Sequence, residues 1–99
     1  MQDQPFNALT PSEVERLALL AEECAEVIQI VGKILRHGYD STHPDNEHGP
    51  DNKEMLEEEL GHVEAAMSLM MFKTDVSSSK IQLSREKKIE RVKHFLHHN

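Results

Sequence analysis

Ninety-nine residues make one small domain whose modest core would gain from self-association. A net charge of -7, with 29% charged residues, argues against a general nucleic-acid binder. Any phosphate chemistry on so acidic a chain would need a metal ion to bridge the like charges. Cys24 is the one cysteine, so no intrachain disulfide is available and a reducing compartment is expected. No apolar run approaches the roughly 20 residues of a membrane span, and the N-terminus has no basic region followed by an apolar stretch. The expected address is the cytoplasm, with no membrane partner.

Residues 1–9 read as a polar, flexible lead-in containing Pro5. Thr10-Pro11-Ser12-Glu13 is a strong helix start: Thr10 can cap, Pro11 suits the first helical position, and Glu13 completes a capping box. Helical patterning then runs to His37, with Gly38 placed as the stop and Gly32 as the one weak point. Residues 38–50, GYDSTHPDNEHGP, read as a loop. Asp51 or Asn52 can cap a second helix that runs to about Lys73, with Asp51 and Glu54 spaced as an acidic capping box. Residues 74–79 form a connection that supplies caps. A third helix, roughly 78–96, is basic through Lys80, Arg85, Lys87, Lys88, Arg91 and Lys93. Its stripe is Ile81, the Arg85 stem, Ile89, Val92, Phe95 and Leu96. The expected fold is all-α: two long antiparallel helices and a third basic helix in a single domain over 1–99, the bundle completed by dimerisation.

Placing residues at about 100° per position shows where the acids lie. On the first helix, Val14, Leu17, Leu20, Ala21, Cys24, Ala25, Ile28, Val31 and Leu35 form a broad apolar arc. Glu15, Glu22, Gln29, Lys33 and Arg36 form the opposite, polar face, with Glu26 at its edge. Glu23 belongs to neither, projecting among Leu19, Val27, Ile30 and Ile34. A carboxylate among apolar neighbours calls for a partner, and a metal ion is one. On the second helix, Leu56, Leu60, Val63, Met67 and Met70 form a stripe, with Glu59 and His62 on its flank. Glu23-x-x-Glu26 and Glu59-x-x-His62 are therefore two i, i+3 pairs, each able to present two ligands on one helix face. Glu-rich runs such as 57–59 are more often a solvated first turn favoured by the helix dipole. A lone His62 would more often be a hydrogen-bonded core-edge histidine. Two displaced pairs on consecutive helices make the ligand reading a real competitor. Lys33 and Arg36 lie on the Glu26 side, two to three turns further on, where they could meet phosphate oxygens. The methionines Met55, Met67, Met70 and Met71 read as core or interface filler.

Glu22-Glu23-Cys24-Ala25-Glu26, in LALLAEECAEVIQ, and Glu58-Glu59-Leu60-Gly61-His62-Val63, in EEELGHVEAAM, resemble the EExxE and ExxD motifs of the all-α nucleotide pyrophosphohydrolase superfamily. This is the MazG-like group that also contains dimeric dUTPases and phosphoribosyl-ATP pyrophosphohydrolases. The likeness covers about residues 12–72, and KILRHGYDS also resembles the helix end and loop of small phage and bacterial members. The resemblance implies hydrolysis of a nucleoside triphosphate to the monophosphate and pyrophosphate. It implies that Glu23, Glu26 and Glu59 bind Mg²⁺ or Mn²⁺, that Glu22 is an auxiliary acid, and that Lys33 and Arg36 contact phosphate or base near a subunit interface. It also implies a homodimer or dimer of dimers. His62 departs from the pattern, standing where an acid is usual. Imidazole suits Mn²⁺ and later transition metals better than Mg²⁺. One competing expectation is therefore a helical dimer that binds nucleotide, metal or a protein partner without turnover. Another is a di-iron carboxylate bundle, since Glu59-x-x-His62 has that spacing and a symmetric dimer could supply the second copy.

Overall fold

The computed structural model describes residues 6–98. The chain forms three helices, α1 (Pro11–His37), α2 (Asn52–Phe72) and α3 (Ser78–Val92). Among the described residues the extended pairing is limited to an isolated bridge between His43 and Asn46. The fold is thus mostly helical, as the patterning requires. It comprises two compact units, one extending to Leu69 and one starting at Met70. The first five residues of the expected lead-in lie outside the described residues. In the remainder, Asn7 Oδ1 accepts the Leu9 N–H at 3.1 Å just ahead of α1.

In the first unit, both ends of α1 are fixed by local chemistry. The Thr10 hydroxyl accepts the Glu13 N–H at 3.2 Å, and the Glu13 carboxylate accepts the Thr10 N–H at 2.8 Å, a complete capping box. At the other end Gly38 adopts φ 87°, a region a Cβ disfavours, and its N–H donates to the Ile34 carbonyl at 2.7 Å.

The start of α2 is tied to the loop before it, and each orphan amide of its first turn finds an acceptor. The Asn52 and Lys53 N–H groups donate to the carbonyls of Ser41 and Tyr39, each at 3.0 Å. The Glu54 N–H donates to Asp51 Oδ1 at 2.8 Å, and Glu54 Oε1 accepts the Asp51 N–H at 3.3 Å. Asn52 is buried, and its Nδ2 donates to the Gly38 carbonyl at 3.0 Å, clamping the end of α1 to the start of α2. His62 of α2 faces Glu23 of α1, and Leu69 borders Arg16 and Leu19. Position along α2 rises as position along α1 falls, so the two helices are antiparallel.

The face that α1 turns to α2 is the narrower one. Leu19, Leu20, Glu23, Glu26, Val27 and Ile34 are half-buried and Ile30 is buried, whereas Val14, Leu17, Ile28, Val31 and Leu35 of the broad apolar arc are exposed. On α2, Asn52, Ala66 and Met70 are buried, Ala66 at 1% exposure, while Leu60 is exposed. The facing sides carry carboxylates among apolar side chains. One apolar side of α1 is spent on α2, and the other is exposed among the described residues.

In the second unit, α2 closes with a Schellman pattern. The Asp75 N–H donates to the Met70 carbonyl at 2.9 Å and the Thr74 N–H to the Met71 carbonyl at 3.0 Å. Thr74 stands at φ 61°, where glycine is usual and a β-branched residue is strained. Thr74→Gly should stabilise the protein by about 0.5–1 kcal/mol, the relieved strain exceeding the added freedom of the unfolded chain. A higher urea midpoint at unchanged slope is the expected readout. Ser77 caps α3 by accepting the Lys80 N–H at 3.3 Å. The third helix ends at Val92, short of the expected 96. The His94 and Phe95 N–H groups bond three residues back, to Arg91 and Val92, which tightens the chain into turns. Of its expected stripe only Ile81 and Val92 are half-buried, whereas Ile89, Phe95 and Leu96 are exposed.

Candidate metal centre

The two i, i+3 pairs meet at the middle of the antiparallel helices. Glu23 and Glu26 of α1 and Glu59 and His62 of α2 each bring one ligand atom to a common point, all within 4.8 Å of one another. The Glu23 and Glu59 side chains are only 15% exposed, and His62 is 46% exposed at the rim. Glu26, read from the sequence as the edge of a polar face, turns inward and joins the group.

His62 Nδ1 lies 3.3 Å from Glu59 Oε2 and 3.4 Å from Glu23 Oε2. One ring N–H cannot serve both, and only the Glu59 contact has hydrogen-bond geometry. Glu23 Oε2 is left buried with no hydrogen-bond partner. His62 Nε2 lies 4.0 Å from Glu58 Oε1 on the solvent side.

The electrostatics follow from this crowding. Burial is the largest effect on Glu59; shared hydrogen bonds with Glu26 and Glu23 and the Glu26 charge add to it, raising its pKa from 4.5 to about 7 against the opposing pull of His62. For His62, burial opposes protonation, but the charges of Glu59, Glu23 and Glu58 and the bond to Glu59 outweigh it and raise its pKa above 6.5. The metal-free cluster therefore holds protons near neutrality in place of counter-charge. A group whose folded pKa is raised contributes stability below its unfolded pKa and loses it as pH climbs through the folded value. Both groups act in this sense. The melting temperature of metal-free protein should fall as pH rises from about 4.5 through about 7. Glu59→Gln should flatten that fall and Mn²⁺ should reverse it. A melting temperature that rises over the same window would contradict this electrostatic picture.

The donor set fits a hard divalent cation. Three carboxylates and one imidazole leave positions for water or phosphate oxygens around an octahedral ion. The orphaned Glu23 oxygen is the kind of atom such an ion satisfies. Ligation needs these groups deprotonated, so cation affinity should strengthen with pH.

The other sequence-read residues fall outside the cluster. Glu22 is exposed and borders a shallow groove with Glu15, Arg16, Leu19 and Leu69. Lys33 and Arg36 line a cavity at the loop end of the helix pair, together with Ser41, Thr42 and Asn52. Sequence reading did not find these last three, because their proximity depends on how the loop folds back. The acidic capping box at Asp51 was the local hint that this junction is structured.

The chain matches no protein-family model, no curated protein and no solved structure. No helix among the described residues is long and apolar enough to cross a membrane.

Proposed function

We propose that this chain is a metal-dependent hydrolase that cleaves a nucleoside triphosphate to the monophosphate and pyrophosphate. The observation that carries the reading is the convergence of Glu23, Glu26, Glu59 and His62 on one point, with one buried carboxylate oxygen unpartnered. The resemblance of the EExxE and ExxH segments to the pyrophosphohydrolase motifs supports the choice of reaction. Glu23, Glu26 and Glu59 would hold Mg²⁺ or Mn²⁺, with His62 as the fourth ligand. The bound ion would neutralise phosphate charge and lower the pKa of the attacking water. Lys33 and Arg36 would take phosphate oxygens on the loop side of the cluster. Buried Ile30 and half-buried Leu19 and Val27, on the Glu23 side of α1, would limit water around the acids. Glu22, facing solvent, stays outside the ligand set.

The exposed arc on α1 supports a homodimer as the working form. Contiguous apolar surface of this kind is a common mark of protein–protein contact. Ile28, 72% exposed, lies along it. Ile28→Glu should halve the solution mass from twice 11.3 kDa to that of one chain, read by light scattering. An unchanged mass would remove this face from the interface.

His62 favours a second reading, a nucleotide- and metal-binding dimer without turnover. Its ring nitrogen sits between two enclosed carboxylates, Glu23 and Glu59, where the resembling motif carries another acid. Pyrophosphate release from a panel of NTPs and dNTPs, with Mg²⁺ and Mn²⁺ in parallel, separates the two. Turnover with either metal supports the hydrolase. Folded protein that binds Mn²⁺ and releases no pyrophosphate from any of them supports the binding form.

A further inference from the structure

The end of α1, the loop and the first turn of α2 enclose a cavity of about 170 Å³. Lys33 and Arg36 come from α1, Ser41 and Thr42 from the loop, and Asn52 and Met55 from α2. Its place relative to the acids follows from helix geometry. Lys33 is seven residues beyond Glu26, about 10 Å along α1, and Met55 is four residues before Glu59, about 6 Å along α2. The helices are antiparallel, so both displacements point the same way. The cavity therefore adjoins the cluster on its loop side, within reach of a phosphate chain.

Its size and lining decide what it can take. Pockets that enclose a drug-sized molecule run to about 300–1,000 Å³. At about 170 Å³ this one has room for a ring system but not for a whole nucleotide. The Met55 thioether and the stems of Lys33 and Arg36 supply apolar wall. Ser41, Thr42 and Asn52 supply a few polar groups of both donor and acceptor kind, which suits the edge of a heteroaromatic ring. Asn52 is fixed by its bond to the Gly38 carbonyl, so this wall is pre-formed. The two cations are donors only, which suits the negative part of the same molecule.

We infer that this cavity seats the nucleobase of the substrate, with the phosphates running past Lys33 and Arg36 to the acid cluster. The inference rests on the hydrolase reading for the identity of the ligand, and it assigns base selection to Ser41, Thr42 and Asn52. The test is a titration of the full chain, with Mg²⁺ present, by nucleoside monophosphates of each base and by inorganic tripolyphosphate. Backbone amides of Thr42 and Asn52 and the Met55 methyl are followed by NMR. Expected are shifts at these three positions with the monophosphate of at least one base that exceed those from tripolyphosphate. Thr42→Trp, which fills the cavity, should weaken that monophosphate at least tenfold. Should the variant fail to fold, the wild-type titration decides alone. Absence of shifts with every monophosphate, or equal shifts with tripolyphosphate, overturns the inference. Pyrophosphate release that persists alongside such a null result would leave the hydrolase standing without this base site. Base-dependent shifts without hydrolysis would keep the cavity and remove the hydrolase.

Discussion

Glu23→Gln is expected to abolish metal-dependent pyrophosphate release, by a factor on the order of 10² or more, while the metal-free protein melts no lower than wild type. The two effects have one cause. Glu23 presents a buried oxygen with no hydrogen-bond partner, beside two other carboxylates and a histidine. In the metal-free protein that oxygen is a liability, since buried polar atoms cost free energy when unpaired. Gln is nearly the same shape and carries no charge, so it removes one buried carboxylate from beside Glu26 and Glu59. With a divalent cation present the ranking reverses, because the amide is a weaker ligand than the carboxylate. Activity measured beside thermal melting, with and without Mn²⁺, reads both arms. Loss of activity accompanied by a lower metal-free melting temperature would mean that Glu23 holds the fold, not an ion.

His62→Asp is expected to shift metal preference towards Mg²⁺ and raise Mg²⁺-supported turnover by about tenfold. Mg²⁺ favours hard oxygen donors and binds imidazole poorly, whereas Mn²⁺ tolerates either. The wild-type ring also hydrogen-bonds Glu59, so a cation must compete for that oxygen. Asp removes this competitor and adds an oxygen ligand at the rim. The shorter side chain must still reach the other three ligands, and His62 stands at the exposed edge where a small backbone adjustment suffices. Activity ratios in Mg²⁺ and Mn²⁺ for the two proteins give the answer. A variant no better than wild type in Mg²⁺ would show that His62 is not the weak point of the site.

The helices were legible because their ends are written in short-range chemistry. Thr10 with Glu13, Gly38, Asp51 with Glu54, and Ser77 each satisfy a helix terminus from within a few residues. The end of α3 was less legible, since the apolar stripe runs on to Leu96 while the helix stops at Val92. The four site residues were legible for a different reason. Their i, i+3 spacing fixes each pair on one face, and Glu23 stands out among apolar neighbours whatever the rest of the fold does. What periodicity left undecided was which of two apolar sides of α1 meets α2. The broad arc of Val14, Leu17, Ile28 and Val31 carries the greater hydrophobicity, yet it faces outward. The narrower side, with two glutamates in it, packs against α2 near Ala66. A residue-by-residue helical projection cannot rank two such faces when both are apolar. The cavity at the loop end was illegible, because it is built from three segments that only backbone hydrogen bonds among Gly38, Tyr39, Ser41, Asn52 and Lys53 bring together.

The most direct measurement is Mn²⁺ binding to purified wild-type protein and to Glu23→Gln, followed by electron paramagnetic resonance at pH 6 and pH 8. The convergence of four ligands implies saturable Mn²⁺ binding that tightens with pH as Glu59 and His62 lose their protons, and that is lost in Glu23→Gln. Binding that is absent, or equal in the two proteins at both pH values, would contradict the assignment of Glu23, Glu26, Glu59 and His62 as a metal centre.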